Sequence, residues 1–244
     1  MIVHEQEVSS VQVLGTLRVK CQGGRDISLR PSARRLVALL AVLGPHSRTD
    51  AALLLWPDMS RERALSNLRT VLWRARHDAG GLVIEQGDDV RLGRVSVDLQ
   101  DVLAWARQAI RGAEEPPPEQ VTRELLPNWS DDWLITPREE CRLQQLHALE
   151  ESAQRLLASG RLAMAATSAR AAVSMDPLRE SAIRVLLEVT LRQGNQVEAL
   201  RHFRRYQKLL RHEIGIEPSP AVTILMASLG RTTSLALTER RFST

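Results

Sequence analysis

Residues 60–79 read S-R-E-R-A-L-S-N-L-R-T-V-L-W-R-A-R-H-D-A and are followed by Gly80-Gly81. Within this stretch, small and aliphatic residues recur at intervals of three and four, the spacing that places side chains on one side of an α-helix. These residues are Ala64, Leu65, Leu68, Val71, Leu72 and Ala75. Ser60 is suited to cap the first turn, and the glycine pair is suited to end the last turn. The pattern predicts one helix with a buried face.

The opposite face of this predicted helix carries polar side chains that can bond to DNA. Arg suits guanine, Asn suits adenine, Ser and Thr suit several bases, and all of them can bond to phosphate oxygens. Our candidates for base contact or contact to an adjacent phosphate are Arg63, Ser66, Asn67, Thr70 and Arg74. Most amphipathic helices present an equally polar face to water alone, so the helix by itself leaves both interpretations open.

The stretches before this helix predict a small sheet and two further helices. Apolar residues alternate from Val11 to Val19 around Gly15, and Ile27-Ser28-Leu29 forms a third β-prone segment. Residues 32–43 predict a buried helix that Gly44-Pro45 closes. A second helix follows, capped by Ser47 and ended at residues 56–57, because a proline disfavours helical conformation in the residue before it. The helix at residues 60–79 is thus the third.

After the third helix, residues 82–92 give two β runs around Gln86-Gly87-Asp88, which is typical of a hairpin. A sheet, three helices and a hairpin predict a winged helix-turn-helix over residues 1–96, whose last helix enters the major groove. Asp88 and Asp89 would repel phosphate at the hairpin tip. The predicted phosphate-positioning residues are Arg48, Thr49, Arg69, His77, Arg91 and Arg94.

The charge distribution divides the chain at about the same place. Residues 1–95 contain 14 Lys and Arg against 10 Asp and Glu, whereas residues 96–244 contain 19 Lys and Arg against 19 Asp and Glu. The whole excess of +4 therefore lies in the first part. A basic domain favours a polyanionic partner because its binding releases counterions.

The second part predicts an all-α domain of helical repeats over residues 97–230, followed by a tail at 231–244. Gly160 and Gly194 lie 34 residues apart in similar segments, and Ala165 and Ala199 keep the same offset. A helix-turn-helix period of 34 residues is typical of tetratricopeptide repeats, which present surfaces for protein contacts. The predicted fold class is therefore mainly α with a small β component.

Several function classes lack sequence support. Only two cysteines occur, and no phosphate-binding loop, dinucleotide-binding turn or zinc-protease motif is present. We therefore expect no enzyme activity, no cofactor and no metal site. The N-terminus lacks a signal-peptide pattern and no apolar run is long enough for a bilayer, so a cytoplasmic protein without membrane contact is expected.

The combined pattern resembles the family of Streptomyces antibiotic regulatory proteins, in which an OmpR-type winged helix is joined to a bacterial transcriptional activation domain. The resemblance extends from about Val11 to Leu229. The stretches that carry it are V-Q-V-L-G at 11–15, L-L-L-W-P-D at 53–58, A-L-S-N-L-R-T-V-L-W-R-A-R at 64–76, V-D-L-Q-D at 97–101, P-R-E at 137–139, M-D-P-L-R-E at 175–180, V-E-A-L-R-H-F at 197–203 and L-L-R-H-E-I-G-I-E-P-S-P at 209–220.

This resemblance implies a transcriptional activator of secondary-metabolite, or antibiotic, biosynthesis genes. It implies binding to direct repeats of double-stranded DNA near a promoter, as side-by-side protomers that form a homodimer on DNA, and recruitment of the RNA polymerase holoenzyme. Because larger relatives append an ATPase and sensor region, we expect this chain to be the short form. A protein-interaction adaptor, in which the winged helix and the repeats both bind proteins, is the alternative.

Overall fold

The computed structural model describes residues 8–21 and 23–227, so the predicted tail at 231–244 lies outside the described residues. The described chain is mainly helical with two small sheets, in agreement with the predicted class. Residues 220–227 form the last helical segment described. The strands are β1 Val8–Gln12, β2 Arg18–Cys21, β3 His46–Ser47, β4 Val83–Gln86, β5 Asp89–Leu92 and β6 Ser96–Val97. The helices are α1 Pro31–Leu43, α2 Arg48–Leu55, α3 Arg61–Asp78, α4 Asp98–Arg111, α5 Ile135–Ala158, α6 Leu162–Met175, α7 Glu180–Arg192 and α8 Gln196–Glu213, with short 3-10 helices at Glu119–Thr122 and Asp132–Leu134.

Tertiary contacts divide the chain into two compact units. Unit 1 comprises the residues up to Ala104 together with Arg123–Leu143, and unit 2 comprises Trp105–Thr122 together with the residues from Gln144 onward. Helices α4 and α5 each contribute residues to both units. A division by contacts does not locate a domain boundary, so the boundary near residue 96 that the sequence predicts stays a prediction.

The N-terminal sheet of unit 1 differs from the prediction in its third strand. Strand β1 lies between β2, which is antiparallel, and β6, which is parallel and pairs Val11 with Val97. The prediction that Ile27-Ser28-Leu29 forms the third strand is wrong. After the turn at Gly23-Gly24 the chain makes a single bridge, between Asp26 and Lys20, and then leaves the sheet to begin α1.

Asp98 joins this sheet to the start of α4. Its carboxylate accepts hydrogen bonds from the backbone N–H groups of Val13 at 2.8 Å and Leu14 at 3.1 Å, and from that of Leu99 at 2.8 Å. Burial raises the pKa of Asp98, and these three hydrogen bonds oppose the shift by stabilising the carboxylate. The side chain satisfies backbone donors that the ladder leaves unpaired after β1.

Helices α1, α2 and α3 enclose the core of unit 1, as predicted. Leu36 and Leu39 of α1, Leu55 of α2 and Leu68 of α3 are at most 1% exposed. Such complete burial of large aliphatic side chains is the main favourable contribution to the folding of the unit. The Ser47 hydroxyl caps α2 by accepting a hydrogen bond from the Asp50 N–H.

The predicted hairpin is present as β4 and β5, with Gly87 at φ 62° in its turn. Strand β3, which was not predicted, pairs with β5 and completes a second sheet in the order β3-β5-β4. Because β3 directly precedes α2, this pairing fixes the hairpin beside the first turn of α2. The Arg48 N–H also donates to the Asp88 carbonyl at 2.8 Å.

In unit 2, the predicted 34-residue period is present in the backbone. Gly160, between α5 and α6, has φ 77°, and Gly194, between α7 and α8, has φ 78°. The N–H of Gly160 donates to the carbonyl of Leu157, and the N–H of Gly194 donates to that of Leu191. Three further backbone hydrogen bonds repeat at the same offset. In the first turn the N–H groups of residues 161, 162 and 165 donate to the carbonyls of residues 156, 160 and 161. In the second turn the N–H groups of residues 195, 196 and 199 donate to the carbonyls of residues 190, 194 and 195.

The helices of unit 2 enclose two apolar clusters, one formed by earlier helices and one by later helices. One joins α5, α6 and α7 around Leu156, Ala165 and Val189, and the other joins α7, α8 and residues 220–227 around Leu187, Tyr206 and Val222. The small residues Ala165 and Ala199 are fully buried at equivalent positions of α6 and α8. A small residue at each position lets the helices of a pair approach closely.

Candidate nucleic-acid interface

Helix α3 has the start, the buried face and the end that its sequence predicts. The Ser60 hydroxyl accepts a hydrogen bond from the Arg63 N–H at 3.4 Å, and Ala79 ends the helix shortly before Gly81 at φ 75°. Ala64, Leu68, Val71, Leu72 and Ala75 are buried, whereas Leu65 is half-buried. The apolar face is therefore fixed against α1 and α2, and the helix cannot rotate without exposing it.

The opposite face presents the predicted base-contact residues together. Arg63, Ser66 and Thr70 are exposed, and Asn67 and Arg74 are half-buried at one edge of the face. All five lie within the same half of the helix circumference, because the other four are three, four, seven and eleven residues after Arg63. The structure thus places these residues on one continuous outward surface, which we call the α3 outward face.

Two polar groups of the α3 outward face have weak local partners. The Asn67 Nδ2 donates to the Met59 sulfur at 3.2 Å, and the Thr70 hydroxyl donates to the Ser66 carbonyl at 3.3 Å. Sulfur is a weak acceptor, and a threonine hydroxyl can rotate to a new partner. Both groups can therefore exchange these bonds for stronger ones to a base or a phosphate.

Trp73 is a further residue of this surface, and it is absent from the set of contact residues predicted from the sequence. Its side chain lies on the α3 outward face and is 65% exposed. The indole stacks on the exposed His77 ring, with ring centroids 5.9 Å apart and an interplanar angle of 29°. The helical period could have shown its position, since Trp73 is one turn from both Arg69 and His77. An aromatic pair on a face of hydrogen-bonding groups adds an apolar contact surface.

The predicted phosphate-positioning residues on α2 are held by other side chains. An Nη of Arg48 donates to one Glu85 carboxylate oxygen at 2.5 Å, and an Nη of Arg76 donates to the other at 2.6 Å. Glu85 lies on β4, so it connects the hairpin with both α2 and α3. The Thr49 hydroxyl accepts a hydrogen bond from Arg61 at 3.3 Å. Sequence reasoning missed the role of Glu85, because the pairing joins three elements that are distant in the chain.

The remaining predicted contacts lie at the exposed edges of the same unit. Arg91 of β5 donates to the Gln86 side-chain oxygen and to the Leu92 carbonyl, both at 3.3 Å. Arg94 follows β5 and is exposed, as is Arg69 on α3. Arg69 lies on α3, and Arg91 and Arg94 belong to the hairpin and the loop after it, so all three add positive charge to the unit that carries the α3 outward face. Such a unit combines hydrogen-bonding groups with cations, the two kinds of group by which proteins contact DNA.

Within residues 8–21 and 23–227, no group of three or more His, Cys, Asp or Glu side chains is arranged to hold a metal ion. None of the helices in that part of the chain has the length and apolar character needed to cross a membrane.

Comparison with solved structures supports the fold. The structure of Mycobacterium tuberculosis EmbR, solved in complex with a low affinity phosphopeptide, matches with a TM-score of 0.60 and 21% sequence identity. The match covers 93% of this chain and 66% of that chain. At this identity the likeness is one of fold.

Comparison of sequences identifies the family. Residues 97–229 match the bacterial transcriptional activator domain. The regulatory protein AfsR of Streptomyces coelicolor is 29% identical over 86% of this chain, and AfsR of Streptomyces griseus is 28% identical over 90% of it. The chain spans only 23% and 24% of the length of these two relatives. Because the domain match covers more than half of the chain and both regulators align along most of it, the chain belongs to the bacterial transcriptional activator domain family, within the Streptomyces antibiotic regulatory proteins.

Proposed function

We propose that the chain is a transcriptional activator that binds a specific sequence of double-stranded DNA. The observation that carries this proposal is the α3 outward face, which lies across the helix from its buried residues and carries Arg63, Ser66, Asn67, Thr70 and Arg74. These side chains are the types that bond to base edges in the major groove, and a single α-helix fits that groove.

In this proposal α1, α2, α3 and the β4–β5 hairpin form a winged helix-turn-helix within residues 1–96. Helix α3 enters the major groove, as the last helix of such a module does. Arg48, Thr49 and Arg69 bond to phosphates beside the groove, and Arg91 and Arg94 reach the flanking backbone from the hairpin. The ion pairs of Glu85 support this arrangement, because they fix the hairpin relative to α2 and α3.

Residues 97–230 then act as the activation domain. We infer that protomers bind side by side on direct repeats, as a homodimer on DNA, and recruit the RNA polymerase holoenzyme to an adjacent promoter. The family match over residues 97–229 and the helical repeats of unit 2, which suit protein contacts, support this part of the proposal. The regulated genes in this proposal are those of antibiotic biosynthesis, in keeping with the family.

The test is selection of bound sequences from a random duplex pool, using the full chain. The proposal predicts enrichment of a tandem motif, which the chain then binds at least about a thousandfold more tightly than a scrambled duplex at physiological salt. Enrichment of no motif at any salt concentration would contradict the proposal. That result would favour the adaptor, in which both units bind proteins.

A further inference from the structure

The outward side of α8 in unit 2 carries a row of cations. Arg201, Arg204, Arg205 and Lys208 are all exposed, and their spacing of three, four and seven residues places them on one side of the helix. None of the four side chains makes a hydrogen bond or an ion pair with another residue of the described chain. We call this row the α8 basic stripe.

Both acidic residues of α8 make ion pairs: Glu198 lies at the N-terminal end of the stripe, three residues before Arg201, and Glu213 lies beyond its C-terminal end. Glu198 pairs with His202, with 3.5 Å between Oε1 and Nε2, and Glu213 pairs with His212 at 3.0 Å. Arg211, beyond the stripe, pairs with Glu217 from the following loop. Charged side chains on exposed helices commonly alternate in sign along one face, which stabilises the helix. Between Arg201 and Lys208 the stripe has no such alternation, and none of its four side chains pairs with a carboxylate of the described chain.

The equivalent helix of the preceding repeat shows that the fold does not require these cations. Helix α6 has the same turn geometry and backbone hydrogen bonds 34 residues earlier. Its residues at the four positions of the stripe are Thr167, Arg170, Ala171 and Ser174. Thr167, Arg170 and Ser174 are exposed, as their α8 counterparts are. One repeat thus builds the same helix pair with one cation where the other has four.

Aliphatic side chains lie exposed at the N-terminal end of the stripe. Val197 is 66% exposed and Leu200 is 38% exposed, whereas the equivalent α6 residues are Ala163 and Ala166. A DNA backbone offers a row of anions but, apart from its sugars, no apolar group to cover these side chains. An amphipathic acidic segment offers both, because carboxylates at helical spacing can face the guanidinium groups while an apolar residue covers Val197.

We propose that the α8 basic stripe, with Val197 and Leu200, is the docking site for an acidic amphipathic segment of another protein. The segment carries three or four carboxylates at helical spacing and one aliphatic side chain beyond them. The partner class follows from charge complementarity and from the exposed aliphatic pair. The site lies on unit 2 and does not depend on DNA binding by α3.

The test measures binding of the full chain to a labelled helical peptide of about 18 residues, with four glutamates at helical spacing and one leucine a turn before them. The test variant is R201Q/R204Q/R205Q/K208Q, which removes the charges but keeps good helix formers. The control adds T167R/A171R/S174K to this variant, which restores most of the net charge and places a basic row on α6 instead. Circular dichroism establishes that each variant is folded.

We expect the test variant to bind the peptide about tenfold more weakly than the native chain, and the control to bind as weakly as the test variant. A peptide with glutamine for glutamate, or alanine for leucine, should also bind more weakly. Equal binding by the native chain and the test variant would overturn the proposal, as would full recovery in the control, since binding would then follow net charge. The stripe would be a DNA contact instead if the test variant lost affinity for a scrambled duplex but not for the peptide.

The same preparations are titrated with the selected operator duplex. The stripe variant should bind the operator as the native chain does. A native chain that binds the peptide but no DNA sequence would overturn the proposed function and leave this inference standing, so the two failures are distinguishable.

Discussion

The indole of Trp73 stacks on the imidazole of His77, one turn further along the outward face of α3, with 5.9 Å between ring centroids. Trp73 is 65% exposed, so the stack covers little of its surface. On a surface that we assign to DNA, an aromatic ring of this size has a natural counterpart in the C5-methyl group of thymine or in a deoxyribose.

Trp73→Ala should weaken operator binding and abolish the response to one thymine methyl. Replacing single thymines of the operator with uracil should weaken binding of the native chain about fourfold at one position, because the apolar contact of one methyl group is lost. The affinity of Trp73→Ala should not change when uracil replaces the thymine at that position. Leu143→Ala removes a different exposed apolar side chain of unit 1 and should keep the native response. If every uracil substitution weakens the variant as it weakens the native chain, Trp73 contacts no thymine.

Glu85→Gln should weaken the fold slightly and strengthen nonspecific DNA binding. The change removes one charge that pairs with both Arg48 and Arg76, at a cost of about 1 kcal/mol of unfolding free energy, because the Arg76 pair is largely exposed. It also releases two guanidinium groups, which should steepen the salt dependence of binding to a scrambled duplex by up to about two units. Urea unfolding and a salt titration measure the two effects.

The matched control for Glu85 is Asp132→Asn, which removes an exposed carboxylate elsewhere in unit 1. It changes the net charge equally but frees no cation beside α3. An equal gain in nonspecific affinity from both variants would show that net charge, and not the release of Arg48 and Arg76, is responsible.

Two neighbouring glutamates of α5 should differ sharply in their contribution to stability. Glu150 is 6% exposed and accepts hydrogen bonds from the Arg179 guanidinium and, at 2.6 Å, from the Ser181 hydroxyl. Glu150→Ala should lower the unfolding free energy by about 3 kcal/mol, because it leaves a half-buried guanidinium without its carboxylate. Glu151 makes only an exposed pair with Arg155 at 3.7 Å, so Glu151→Ala should cost about 0.3 kcal/mol. Urea unfolding that ranks the two variants equally would contradict this assignment.

Cys141 should be an unreactive thiol. Burial raises its pKa to about 11, and the nearby Asp98 carboxylate adds to the shift. At pH 8 the thiolate fraction in the native chain should therefore be about a hundredfold below that of an ordinary cysteine, and alkylation should be correspondingly slow. Because the folded pKa is raised, the rate should climb only as the pH approaches 11. Peptide mapping after iodoacetamide treatment measures the alkylation rate of Cys141. Equal alkylation rates in the native chain and in urea would refute the expectation.

The features that follow from local spacing were predictable from the sequence. The buried stripe of α3 and its cap at Ser60, the turn at Gly87 and the 34-residue offset of Gly160 and Gly194 all depend on residues close together in the chain or on an exact repeat. Helical period alone also separates the outward face of α3 from its core face. The family resemblance rests on longer stretches of sequence, and the match over residues 97–229 confirms it.

The features that depend on long-range pairing were not predictable. The third strand of the N-terminal sheet is β6, which joins β1 across most of unit 1, and its two residues have no pattern of their own. Strand β3 is equally short. The role of Glu85 requires α2, α3 and β4 to be in place before its two arginine partners meet. Such pairings are decided by tertiary packing and not by local propensity.

The central claim is that the outward face of α3 reads DNA sequence, and the most direct test is titration of the selected operator with Arg63→Ala and Arg74→Ala. Each variant should lose about 1–3 kcal/mol of binding free energy, which is about 5-fold to 150-fold in affinity, and should lose its preference at one base pair. Arg170→Ala, which removes an exposed cation of unit 2, should bind as the native chain does. If Arg63→Ala and Arg74→Ala both bind the operator with native affinity and native base preference, the assignment of this face to DNA is wrong.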